Sequence, residues 1–198
     1  MKDAARRHLL GAAGAAIAAA CWPAISAAQH AAFGIVRPAL MVPNIAVTDM
    51  RGASVDLARM LRGHVTAVHL MFTGCTATCP IQGAIFADAQ ARLDAADTSL
   101  RLLSVSIDPL GDDVPALRAW LQRFGARQDR WTAALPKPQG VDPLLDFVRG
   151  RASGADRHTA QAYLFNRRAE LVFRSADVAS GESLVATLRQ LAAFTPAA

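Results

Sequence analysis

With 198 residues, 53% of them hydrophobic, the chain is long enough for one domain with a full core and short for two. Its 21 Lys and Arg against 16 Asp and Glu give a formal charge of +5. The basic residues are scattered and form no aromatic-interleaved face, which excludes a nucleic-acid-binding module.

Met1 to Ala28 has the three-part layout of an export signal: a basic start at Lys2, Arg6 and Arg7, an apolar stretch from Leu9 to Ala20, and small residues at Ser26, Ala27 and Ala28. Cleavage is expected before Gln29. Arg6-Arg7-His8-Leu9-Leu10 has the form of a twin-arginine signal, the type that exports folded proteins. The apolar stretch is too short and alanine-rich for a membrane span, which needs about 20 strongly apolar residues. Membrane attachment would come only from an uncleaved signal or a lipid on Cys21. The expected location is therefore periplasmic, outside the cytoplasm. Residues 1–28 hold three basic residues and one acidic residue, so their removal leaves 170 residues with a charge of +3.

Residues 29–43 read as a loose, flexible segment, and 44–194 as the folded domain. Val65 to Phe72 is a mostly apolar run suited to a buried strand. Pro80 opens a helical pattern in which Ile81, Ile85, Ala89 and Leu93 form one apolar stripe. Leu102 to Ile107 reads as a second buried strand, closed by Asp108-Pro109. Asp112 and Asp113 offer N-caps for a helix with Pro115 in its first turn, running through Leu117, Trp120, Leu121 and Phe124. Asp142 to Val148 is a short helix. Ala160 to Phe165 and Glu170 to Arg174 flank a hairpin turn, and Ser183 to Phe194 closes the chain as a helix. This β-α-β-α order, then a short helix and β-β-α, predicts an α/β protein with a central mixed sheet, helices on both faces and a thioredoxin-like fold.

Cys75 and Cys79 lie between the first core strand and its helix, in Phe72-Thr-Gly-Cys-Thr-Ala-Thr-Cys-Pro80. Reactive groups in open α/β sheets collect beyond the carboxyl ends of strands, and a helix N-terminus favours thiolate over thiol. An iron–sulfur cluster normally asks for four cysteines, and structural zinc prefers four ligands with shorter C-x-x-C spacing. Thioredoxin-type sites also use two intervening residues, where three stand here. Two thiolates seeking a further ligand suit copper best, as Cu(I) or, with an imidazole added, Cu(II). The same pair can instead cycle between dithiol and disulfide. His158 follows a Gly/Ser/Arg loop, Arg149 to Arg157, just ahead of the hairpin. On spacing alone it is either a ligand facing the cysteine turn or a solvated loop histidine.

Three blocks then resemble the Sco/SenC family of thioredoxin-like proteins: Phe72-Thr-x-Cys75-x-x-x-Cys79-Pro80, Val105-Ser-Ile-Asp-Pro109 with Asp112 and Pro115, and His158 ahead of Ala162-Tyr-Leu-Phe165. The resemblance covers about Asn44 to Ala192. It implies a copper site made by Cys75, Cys79 and His158, and a role as a copper chaperone or thiol reductant in assembly of the copper centre of cytochrome c oxidase. The implied partners are an oxidase subunit, or another copper or thiol client, and a thiol reductant. The alternative is a thiol–disulfide oxidoreductase that uses Cys75 and Cys79 without metal. Where many members carry Pro-Asp after the first cysteine, this chain has Thr76-Ala77-Thr78, which places it with a Thr-rich C-x-x-x-C branch.

Overall fold

A strand covered on both faces must be apolar along its length, and all seven residues of Val65–Met71 (β4) are buried. β4 pairs in parallel with Leu100–Ser106 (β5) and antiparallel with Ala162–Phe165 (β7). The computed structural model describes residues 33–153 and 157–194. The export signal expected over residues 1–28, Cys21 included, lies outside the described residues. The remaining strands are Gly34–Met41 (β1), Ala46–Asp49 (β2), Ser54–Asp56 (β3), Trp131–Pro136 (β6) and Glu170–Arg174 (β8). Together they form one eight-stranded mixed sheet in the order β1-β8-β7-β4-β5-β6-β2-β3.

Side chains alternate across the sheet with period two, so it has two cores. On one face Val68, Leu70, Leu103 and Val105 meet Leu57–Leu61 (α1) and Pro138–Val148 (α4). On the other, Ala67, Met71, Leu102 and Ala133 meet Thr78–Ala91 (α2), Val114–Arg123 (α3) and Gly181–Phe194 (α5). Helices on both faces of a mixed sheet are the architecture the sequence pattern predicts. The helices α2 and α5 cross so closely that a Cβ on Gly181 would stand 2.6 Å from the backbone N of Ala89.

Several elements depart from expectation, each for a physical reason. Within the stretch expected to be loose, β1 pairs with β8. Its residues are mostly exposed, because it is an edge strand, so no alternation marks it in the sequence. β2, β3, α1 and β6 were also not anticipated; β6 carries Ala133-Ala134, too small to register as an apolar run. The inward stripe of α2 is Cys79, Gln82, Gly83, Phe86, Ala89 and Gln90, while Ile81 is 54% exposed. Two glutamines hold inward positions because their amides bond across the interface. Gln82 Nε2 donates to Gln161 O and Gln90 Nε2 to Gly125 O. α4 starts four residues before Asp142, at Pro138, whose fixed φ suits a first helical position.

Candidate functional site at the cysteine turn

Beyond Met71 the chain leaves the carboxyl end of β4 and turns, with the Cys75 N–H donating to Phe72 O at 3.1 Å. The turn is fastened from beneath by Asp112, which is 6% exposed. Its carboxylate accepts from Thr73 N (3.1 and 3.2 Å), Thr73 Oγ1 (2.5 Å) and Ser106 Oγ (2.7 Å). Asp112 therefore does not cap α3 as expected. Asp113 does, accepting from Ala116 N at 2.7 Å. Asp108 shapes its own turn, with its carbonyl accepting from Gly111 and Asp112.

Cys75 and Cys79 are both buried thiols, 6% and 0% exposed. Cys75 stands in the turn, because α2 begins at Thr78. The cap position, Ala77, supplies no side-chain acceptor. The Cys79 N–H instead donates to Cys75 Sγ at 3.3 Å. A sulfur thus occupies the place of a capping oxygen, at the positive end of the helix dipole, where negative charge is stabilised.

β7 runs antiparallel to β4, with His69 opposite Ala162. The residues just before β7 therefore return beside the end of β4, and this brings His158 to the cysteines. His158 is 3% exposed, so the solvated-loop reading fails. Its Nδ1 lies 2.8 Å from Thr159 O and its Nε2 3.7 Å from Cys79 Sγ. A carbonyl oxygen only accepts, so Nδ1 carries a proton, and Nε2 is the ring nitrogen that faces the sulfur. The Phe72 ring meets the imidazole edge-on, with centroids 6.3 Å apart. The His158 loop is closed by Thr159 N donating to Gly150 O (2.8 Å) and by Thr159 Oγ1 against Tyr163 Oη (2.6 Å). Among the described residues no three His, Cys, Asp or Glu side chains are already grouped as a metal cage. The donor chemistry nevertheless fits a soft ion: two thiols, and an imidazole whose outer nitrogen is fixed by a backbone acceptor.

Beneath this site His69 is fully buried, with Nε2 2.7 Å from Ser104 Oγ and its ring 4.2 Å from that of Phe86. Ser104 Oγ also accepts from Trp131 Nε1 at 2.9 Å. His69 is thus a packed core residue. Burial, reinforced by His158, pushes its pKa from 6.5 down to about 3, and Gln82 offsets this in part. With the folded pKa below the unfolded one, the unfolded chain takes the proton first as pH falls. His69 therefore costs no stability above pH 6.5 and progressively more between 6.5 and 3. Stability should fall through that window by up to about 1.4 kcal/mol per pH unit from this group. Urea unfolding across pH should show the slope reduced in His69→Phe; an unchanged slope would place the acid sensitivity elsewhere.

A family model described as SCO1/SenC matches residues 37–193. The SCO1 protein homolog of Bacillus subtilis (strain 168) is 31% identical over 113 residues, which cover 48% of this chain and 58% of the relative, a little over half its length. Yeast Sco1 with copper bound superposes with a TM-score of 0.67 at 16% identity, covering 80% of this chain and 92% of the other. BsSco, a member of the Sco family of cytochrome c oxidase assembly proteins in which a disulfide switch was identified, gives 0.68 at 19%, covering 80% and 96%. At these identities the superpositions speak for the fold, and they agree with the thioredoxin-like sheet described above. The family match spans nearly the whole described sheet and all three site residues: this chain belongs to the SCO1/SenC family.

Proposed function

We propose that the chain is an extracytoplasmic copper-binding protein that serves assembly of the copper centre of cytochrome c oxidase. Cys75 and Cys79 would hold the ion as thiolates and His158 would complete the set through Nε2. The observation that carries this reading is the orientation of His158, whose Nδ1 is bound to Thr159 O while Nε2 faces Cys79 Sγ. An imidazole held this way is a poised ligand, its tautomer set before any ion arrives. Copper as cargo must find the thiols reduced, because a disulfide offers no thiolate, so loading is linked to redox state. The copper-bound yeast Sco1 and the assembly role of BsSco's family lend support by kinship. The N-terminal signal read from the sequence supplies the compartment.

Thiol–disulfide exchange without metal uses the same pair, with Cys75, the more exposed thiol, attacking and Cys79 resolving. That chemistry would use His158 only as a base or charge beside Cys79 and would need no third ligand. A strain lacking the gene separates the two readings. Copper assembly predicts oxidase depleted of copper with periplasmic thiols in their usual redox state. Normal oxidase copper together with shifted thiol oxidation would select the exchange reading instead.

A further inference from the structure

At the opposite end of the sheet from the cysteines, a second cavity of about 160 Å³ opens at the start of β4, β5 and β6. Thr66 on β4 stands roughly 17 Å of strand before Met71, at about 3.3 Å per residue, so this cavity is separate from the thiol site. Three adjacent strands supply its floor: Thr66 pairs with Arg101, and Leu103 with Thr132. His64, in the turn after α1, and Arg130, just before β6, complete its polar wall.

The polar groups there use only part of their hydrogen-bonding capacity, His64 through a bond to the Ser99 backbone. Thr66 is 3% exposed, and among the described residues its Oγ1 has no hydrogen-bond partner. His64 Nδ1 is likewise buried and unpartnered. Arg101 is steered by its Nη1, which donates to Thr98 O and Leu100 O at 2.7 and 2.9 Å. Its Nε and Nη2 remain for another acceptor. Arg130 is 9% exposed, is tied to the backbone oxygens of Asp94 and Asp97, and meets Asp129 at 3.4 Å from the exposed side. Among the described residues no carboxylate lines the cavity, and Asp129 reaches Arg130 from outside it. The positive charge is also felt by its residents: burial and then Arg101 hold the His64 imidazole below its ordinary value, opposed by a bond to the Ser99 backbone and helped by Arg167, and burial and Arg130 do the same to Arg101, opposed by Asp129.

We propose that this cavity is a binding site for a tetrahedral oxyanion of the phosphate class, held by Arg101, Thr66 and His64 in the field of Arg130. Donors converging from separate elements match an ion that presents several acceptor oxygens, and a guanidinium fixed by its far nitrogen is suited to bidentate recognition. A buried donor left unmade costs stability, and one anion would satisfy Thr66, His64 and Arg101 together. The cavity shares Met60, Gln128 and Thr132 with an adjoining groove of about 580 Å³ that carries Arg59, Arg118 and an Arg51 paired with Asp49. That groove has room for the body of a phosphate ester.

The test is NMR titration of the full chain, reduced and in phosphate-free buffer, with inorganic phosphate, phenyl phosphate and acetate. Inorganic phosphate should give saturable shifts at Thr66, Arg101 and Arg130, and should raise the His64 pKa, since the anion favours the imidazolium. Thr66→Val and Arg101→Gln should each weaken binding about tenfold and leave the thiol titre unchanged. Thr66→Val keeps the β-branched shape and removes an unsatisfied hydroxyl, so it should fold at least as stably. Tighter binding of phenyl phosphate identifies an ester as the ligand, and equal or weaker binding identifies free phosphate. No saturable shift at millimolar phosphate, equal binding of acetate, or affinity untouched by both substitutions would overturn the site.

Discussion

Asp112→Ala is expected to destabilise the protein by about 3 kcal/mol and to loosen the cysteine turn. The carboxylate accepts from one backbone N–H and two hydroxyls in a nearly closed environment. Truncation strands Thr73 N, Thr73 Oγ1 and Ser106 Oγ without their acceptor, and each stranded buried group costs about 1–3 kcal/mol, less where water reaches the new gap. Asp112→Asn keeps the shape and one acceptor oxygen, so about 1 kcal/mol is expected for it. Urea denaturation with an unchanged slope gives the stability difference. The rate of Cys75 alkylation reports the turn, and it should rise in Asp112→Ala more than in a variant equally destabilised far from the site. Equal rates would reduce Asp112 to general ballast in the fold.

Gly150→Ala should be the most damaging conservative change near His158. A Cβ there would stand 2.7 Å from Tyr163 Oη, 2.9 Å from Leu70 Cδ1 and 2.9 Å from Val148 Cγ2, so it is blocked on three sides. Arg149 just before it already holds a left-handed conformation, φ 54°, at the end of α4. Gly150 O also receives the Thr159 N–H that closes the loop. Overpacking of this kind costs about 1–3 kcal/mol. Relief by moving Tyr163 would break its bond to Thr159, the residue that orients His158. Calorimetry should show the loss of stability, and copper(II) affinity should fall with it. A variant of reduced stability and unaltered copper(II) affinity would show that the loop holds His158 without this glycine.

What the sequence made legible was whatever is local. The apolar run from Val65 to Phe72, the two cysteines before a proline, and the hairpin ahead of α5 are each marked within a few residues. The role of Asp112 was not legible. It stands next to Asp113, and both look like caps; which one turns inward depends on Thr73, 39 positions away. The α2 stripe holds at Ala89 and Leu93 and, in part, at Ile85, but fails at Ile81, where Gln82 packs inward instead through a bond that reaches Gln161. His158 stood between ligand and loop on spacing alone. Its burial and its two ring contacts follow from the β4–β7 pairing, which no local pattern records. The oxyanion cavity was invisible for the same reason, since Thr66, Arg101 and Arg130 meet only through strand register.

Anaerobic titration of the reduced chain with copper, against a competing small-molecule chelator, decides whether Cys75, Cys79 and His158 form a copper site. Near-stoichiometric binding of one copper per chain is expected, lost in Cys75→Ser and Cys79→Ser, with copper(II) binding lost in His158→Ala. Binding no tighter than the chelator's, or a His158→Ala variant that holds copper(II) as the unaltered chain does, would contradict it.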